Sequence, residues 1–263
     1  MSHAAAPCVL LVEDDSSITR FVEMALDQLP IELLTCTTVP AAVALLQQRD
    51  VKLVITDLML PGESGISLVK RMAADPLLGR DTRVAVFSAG LTLAVKDQLE
   101  DLNLWRVLSK PIAVQELENC VRDALATQAA TDALAPASAP APFPPAQAPT
   151  PIDAEGASAP CTPAEKLAIT THFGGDAQLF TTYRAACLKQ FAADVHTGDA
   201  AAQTRDWPAL RRLAHSLATV LLTLGRPEDS LTARALEDAA AANAAPACLT
   251  GWGQLRTRLG TSI

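Results

Sequence analysis

The sequence predicts an α/β protein: a five-stranded parallel, doubly wound sheet over residues 1–128, then a disordered Pro/Ala-rich linker over 129–161 and an all-α helical bundle over 162–263. Three observations lead there. Short apolar runs alternate with helical repeats through the first half, the pattern of strands joined by crossover helices. Several of those runs stop abruptly at a polar side chain. Beyond Pro163 only helical periodicity is left.

Taken in order, residues 9–12 form an apolar strand that ends in Glu13-Asp14-Asp15, and Ser16 and Ser17 are placed to cap the helix that follows. Ile18, Phe21, Val22, Ala25, Leu26 and Leu29 recur at helical spacing. A second strand is expected over 32–36 and a helix over 41–48. The third strand, 51–57, is rich in β-branched and apolar residues and ends at Asp57, with the Pro61-Gly62 turn close behind. A helix over 64–74 leads to a fourth strand, 83–87, that ends at Ser88-Ala89-Gly90. A helix over 92–102, a fifth strand over 105–108, Lys110-Pro111 and a helix over 113–126 complete this half.

The linker carries Pro136, Pro140, Pro142, Pro144, Pro145, Pro149, Pro151 and Pro160, a density that suits an extended tether rather than a helix or a core. Five helices are expected after it, over 163–172, 177–203, 207–224, 228–242 and 247–259. Gly174-Gly175, Asp206, Gly225 with Pro227, and Pro246 punctuate them.

Composition narrows the function. The formal net charge is −8 with no basic cluster, which leaves no electrostatic route to nucleic acid or anionic lipid. The six cysteines are scattered without Cys-x-x-Cys spacing and read as reduced, buried residues of a cytoplasmic protein. No apolar stretch is long enough to span a bilayer, and the run at residues 8–12 is too short for a secretory signal.

In an open parallel sheet, side chains that end the strands converge on one edge, where ligands bind. Glu13, Asp14, Asp57, Ser88 and Lys110 are expected there. Each alone has an ordinary role as a cap, turn or surface residue. Together, three carboxylates call for a cation, and an all-oxygen ligand set favours Mg²⁺. Lys110 balances charge and Ser88 adds a hydrogen bond. An incoming phosphoryl group would engage the metal, Lys110 and Ser88 while Asp57 attacks phosphorus.

On these residues the first half resembles the receiver domain of two-component response regulators, over about residues 7–127. The matching text is Leu11-Val12-Glu13-Asp14-Asp15, Asp57-Leu58-Met59-Leu60-Pro61-Gly62 with Gly65, Ser88-Ala89, and Lys110-Pro111. The resemblance implies a flavodoxin-like fold with Asp57 as phosphoacceptor. It implies Mg²⁺ on Asp14, Asp57 and the Met59 backbone carbonyl, with Glu13 acting through water. It also implies that Ser88 and Lys110 contact the phosphoryl group and that a cis proline follows the lysine. Receivers carry an aromatic switch residue three positions before that lysine. Here Val107 stands there, with Trp105 two residues earlier on the same strand face.

In the second half, Leu210, Leu213, Ala214, Leu217, Leu221 and Leu224 make one apolar stripe. At about 100° per residue His215 falls roughly 150° from its centre, so it should face solvent or a partner. An imidazole so placed is a competent phosphoryl acceptor. The segments Phe173-Gly174-Gly175-Asp176, 206–217, Leu224-Gly225 and Leu236-Glu237-Asp238-Ala239 resemble a histidine phosphotransfer domain. That family follows its histidine with x-Leu-Lys-Gly. This chain keeps Leu217 but has Ala218 for the lysine and Thr219 for the glycine, and Arg211 and Arg212 stand as substitute charges one turn earlier.

The function expected from both halves is a phosphorelay: Asp57 and His215 as successive acceptors, a sensor histidine kinase or a downstream response regulator as partner, and no ATP-binding kinase domain. The alternative is a response regulator whose degenerate C-terminal bundle binds a partner or dimerises without carrying phosphate. A phosphatase reading lacks a second catalytic group near His215.

Overall fold

The computed structural model describes residues 6–79, 82–88, 102, 104–132 and 161–261. The helix expected over 92–102, Ala89-Gly90 and nearly all of the linker lie outside the described residues.

β1 (Cys8–Val12), β2 (Glu32–Cys36), β3 (Val51–Asp57), β4 (Arg83–Ser88) and β5 (Arg106–Ser109) form a five-stranded sheet in the order β2-β1-β3-β4-β5. All four pairings are parallel. Because side chains alternate between the faces of a strand, Val9, Leu11, Leu53, Ile55, Ala85, Phe87 and Leu108 point to one side, under α1 (Ser16–Leu26) and α5 (Val114–Asp132). Leu10, Val12, Val54, Val84 and Val86 point to the other, under α2 (Val39–Gln48) and α3 (Gly65–Ala74). Burial on both faces explains why the central strands β1, β3 and β4 are largely apolar runs rather than alternating, while the edge strands β2 and β5 are less buried. A single turn, α4 (Pro76–Gly79), follows α3.

Local details differ from the sequence expectation in two places. Asp15 caps α1, not Ser16 or Ser17: its Oδ1 accepts from the Ser17 and Ile18 amides at 2.8 and 3.0 Å. The serines already sit inside the helix, where the first free amides point back at the carboxylate. And α5 runs on to Asp132, past the expected end at Ala126, since nothing between the two residues breaks a helix.

The C-terminal region is helical: α6 (Pro163–His172), α7 (Ala177–Thr204), α8 (Trp207–Thr223), α9 (Pro227–Ala241) and α10 (Ala245–Gly260). A capping box of Thr162 and Glu165 opens α6, and Asp176 and Asp206 cap α7 and α8. The Trp252 ring of α10 lies so close to Gly198 of α7 that a Cβ there would meet it at 2.1 Å.

These helices pack on the sheet unit through α1. Phe21 meets Phe173 and Tyr183 edge-on, with ring centroids 5.6 and 5.5 Å apart, and Phe173 meets Phe180 at 5.4 Å. One apolar cluster runs from the sheet through α1 into α7 and α8. Phe21 is thereby buried between the sheet face and these helices, lining one small cavity with Phe87 and Tyr183. At the polar end of this contact, buried Asp194 of α7 accepts from Gln190 Nε2 at 3.0 Å. Burial pushes its carboxyl up to about 6; the Gln190 hydrogen bond opposes this and the Asp15 charge adds to it.

Two outcomes are expected. Gly65 opens α3 directly against the end of β3, and a Cβ there would lie 1.9 Å from the Asp57 carbonyl oxygen. Gly65→Ala should destabilise the protein by about 2 kcal/mol or more in urea unfolding and lower phosphorylation at Asp57. The folded pKa of Asp194 lies above its unfolded one, so its contribution is greatest below about pH 4 and is lost as pH rises through about 6. Asp194→Asn should therefore stabilise the chain at pH 8 by roughly 2–3 kcal/mol, with the gain gone at pH 4. Unfolding curves at the two pH values measure this.

Candidate functional site

The strand register brings the polar strand ends together: Val12 pairs with Thr56, Asp57 with Phe87, and Ser88 with Ser109. Glu13, Asp57, Ser88 and Lys110 are all buried at the carboxyl edge of the sheet, and Asp14 is half-buried beside them. Carboxylate oxygens of Glu13, Asp14 and Asp57 lie within 4.8 Å of one another. The Lys110 ammonium sits between two of them, donating to Glu13 Oε2 at 2.7 Å and to Asp57 Oδ2 at 2.9 Å. Lys110 is held there by its backbone: its amide donates to the Ser88 carbonyl at 2.7 Å, and the bond to Pro111 is cis. Met59, expected to offer its carbonyl, sits in the turn after β3 and donates its amide to Asp57 Oδ1 at 3.2 Å.

The electrostatics follow from this packing. Burial pushes Glu13 up to about 8; the Lys110 charge opposes that and the Asp57 carboxylate adds to it. Burial raises Asp14 as well, and Asp57 contributes in the same direction. For Asp57 itself burial would raise the value, but the Lys110 charge and hydrogen bond, with a smaller contribution from His215, hold it below the ordinary range. Lys110 thus favours the ionised form of Asp57, while three carboxylates share its single charge.

His215 departs from its expected setting. It is buried, only 8% exposed, although it stands apart from the apolar stripe of α8. Its Nδ1 lies 2.9 Å from Glu237 Oε1 of α9. Its Nε2 is buried without a hydrogen-bond partner among the described residues. The amphipathic reading of α8 holds for the stripe of Leu210, Ala214, Leu217 and Leu221, which is buried in the helical core. The opposite face is buried too, at Ser216, Thr219 and Thr223, because the strand ends lie over it. A helix read alone carries no sign of a second covering layer.

Arg212 lines a cavity of about 290 Å³ with Asp14, Asp15, Ser16 and Pro61 on one side and Gln190, Asp194 and Ser216 on the other. Arg211 is exposed. Ser216 faces the Asp15 carboxylate within hydrogen-bonding reach. Trp105 stands just ahead of β5 rather than on it, with the Arg83 guanidinium 4.0 Å from its ring centroid, and Val107 is exposed. Glu237, named in the sequence only as part of the Leu236-Glu237-Asp238-Ala239 segment, turns out to be the partner of His215. It is 22 positions from His215 on the neighbouring helix, and no spacing rule links them.

Residues 9–122 match the family profile described as "Response regulator receiver domain". Among curated proteins, the chain is 27% identical over 118 residues to the response regulator receiver protein CpdR of Brucella abortus, covering 44% of this chain and 95% of that one. It is 28% identical over 121 residues to the DNA-binding transcriptional regulator NtrC of Azospirillum brasilense, covering 46% of this chain and 24% of that one. It is 29% identical over 219 residues to the virulence sensor protein BvgS of Bordetella pertussis, covering 80% of this chain and 16% of that one. The chain therefore spans less than a quarter of the length of the last two proteins. The profile match, the parallel sheet in the order β2-β1-β3-β4-β5 and the acid cluster with its lysine agree: residues 9–122 form a response regulator receiver domain of two-component signalling.

Proposed function

We propose that this chain is a phosphorelay protein: the receiver takes a phosphoryl group on Asp57 with Mg²⁺, and the C-terminal helices act as a histidine phosphotransfer unit through His215. The observation that carries the reading is the state of His215. Its Nδ1 lies 2.9 Å from Glu237 Oε1 while its Nε2 is buried without a hydrogen-bond partner among the described residues, on the helix that crosses the receiver site. The BvgS alignment supports it, since 219 residues cannot be accommodated within 9–122 and must take in the C-terminal helices.

The acid cluster suits the metal. Three carboxylates against one ammonium leave an excess of negative charge, and a set made of oxygens alone is what Mg²⁺ prefers. Glu13, Asp14 and Asp57 would hold it, with Met59 contributing its carbonyl, and the ion would neutralise charge on the phosphoryl oxygens. Asp57 is the nucleophile because Lys110 keeps it ionised. Ser88 and Lys110 are placed to contact the oxygens of the group once it is bound.

A sensor histidine kinase is the proposed donor and a downstream response regulator the proposed acceptor; the chain is a phosphotransfer protein and not itself a kinase. Among the described residues no helix is long and apolar enough to cross a membrane. The second reading, a helical module that binds a partner or dimerises without carrying phosphate, rests on Ala218 and Thr219 in place of the lysine and glycine.

Labelling separates the two. With radiolabelled acetyl phosphate and Mg²⁺, the protein should acquire alkali-labile label at Asp57 and alkali-stable, acid-labile label at His215. Asp57→Asn should abolish both, and His215→Gln the second alone. Label confined to Asp57 in the unmodified chain would establish the partner-binding reading instead. Glu237→Ala should slow transfer to His215 about tenfold, the weight of one hydrogen bond to a charged group, without changing the rate at which Asp57 is labelled.

A further inference from the structure

The C-terminal helices cover the receiver's own acceptor. Helix α8 runs across the site: Ala209, Arg212, Leu213 and Ser216 line a cavity with Asp14, Asp15, Ser16 and Pro61, while one to two turns further on Thr219 and Thr223 line a smaller one with Lys110, Pro111 and Ile112. His215 lies along α8 between these two rows of contacts, near enough for its charge to act on the Asp57 carboxylate that Lys110 holds. The smaller cavity, about 20 Å³, has room for a single water. Two buried polar atoms on this face of α8, His215 Nε2 and Thr219 Oγ1, have no hydrogen-bond partner among the described residues.

From this geometry, and resting on the phosphorelay reading above, we infer that Asp57 and His215 of one and the same chain are exchange partners, and that the docked helices are the receiver's built-in acceptor rather than a module reserved for other proteins. In the step, the Nε2 lone pair attacks phosphorus of the Asp57 acyl phosphate. The Asp57 Oδ–P bond breaks, the N–P bond forms, and Asp57 is released as the carboxylate that Lys110 stabilises. Nδ1 keeps its proton, with the Glu237 carboxylate balancing the charge the ring acquires. The reverse step returns the group to Asp57.

The docking surface is built for this. Phe21 of α1 packs in T-shaped contacts with Phe173 and Tyr183, apolar burial that favours the docked arrangement. The covalent connection adds concentration: a tether of suitable length presents the helices to their own receiver in the millimolar range. In the docked state Asp57 is 1% exposed, so loading from outside requires the helices to lift, whereas exchange with His215 does not.

The test is the order of the reaction. Wild-type chain loaded with radiolabelled acetyl phosphate and freed of it should pass label between Asp57 and His215 with a rate constant unchanged from 0.5 to 50 µM protein. Loaded His215→Gln chain mixed with Asp57→Asn chain, each at about 1 µM, should transfer roughly a thousandfold more slowly, the ratio of micromolar to millimolar concentration. A wild-type rate that rises with concentration, or a mixture that keeps pace with it, would overturn exchange within one chain while leaving the relay standing. Absence of label on His215 in every arm would overturn both. Because both variants replace one polar group by another of similar size, circular dichroism and urea curves matching wild type will establish that they fold.

Discussion

One ammonium group governs the receiver half. Lys110 reaches into a buried corner where Glu13 and Asp57 would otherwise face each other without a counter-charge, and unpaired charges in such a corner cost several kcal/mol each. Its own position is fixed by the backbone, whose amide donates to the Ser88 carbonyl, so the charge is delivered by β4 and β5 together. The lysine bridges both partners, at 2.7 Å from Glu13 and 2.9 Å from Asp57, and holds the Asp57 carboxyl below its ordinary range. The carboxylates it leaves uncompensated are ready to accept a cation.

The same corner accounts for the second half. An acidic edge of this kind would normally face water, yet here a helix lies over it. Asp15 caps α1 on one side and meets Ser216 on the other, and Asp194 is buried within reach of its charge. Burying like charges opposes docking, so the apolar contact of Phe21, Phe173 and Tyr183 has to outweigh them. Arg212 supplies the one cation among the residues lining the shared cavity. Charge that accumulates at this seam favours whatever brings in positive charge or relieves negative charge, which couples the state of the receiver site to the helices lying on it.

How much of this was legible in the sequence follows from the range of each signal. The strands and helices were, because burial on both sheet faces leaves continuous apolar runs, and because the polar residues that interrupt them fall at strand ends. The acid cluster was legible for the same reason: topology puts the ends of parallel strands on one edge, so Glu13, Asp57 and Ser88 meet whatever the helices do. His215 was legible as a residue apart from the apolar stripe of α8, but not as a buried one. Periodicity reports which face a helix turns to its own core and is silent on a second layer that arrives from more than a hundred residues away. Glu237 was invisible for a related reason, since contact between neighbouring helices leaves no fixed spacing in sequence.

Ala218 and Thr219 read differently once the second layer is known. Taken alone, the loss of a lysine and a glycine after the histidine looks like decay of a phosphotransfer motif. In the folded chain Ala218 is buried and its carbonyl accepts from Ser230 at 2.7 Å, so that position faces the helical core side of α9 rather than a free surface where a lysine would be solvated. Thr219 turns towards Lys110 and Pro111. A glycine gives an arriving partner room whatever its exact shape; a threonine suits one partner whose contour is fixed. The bulk at 219 is therefore accommodated against Lys110 and Pro111 of the same chain.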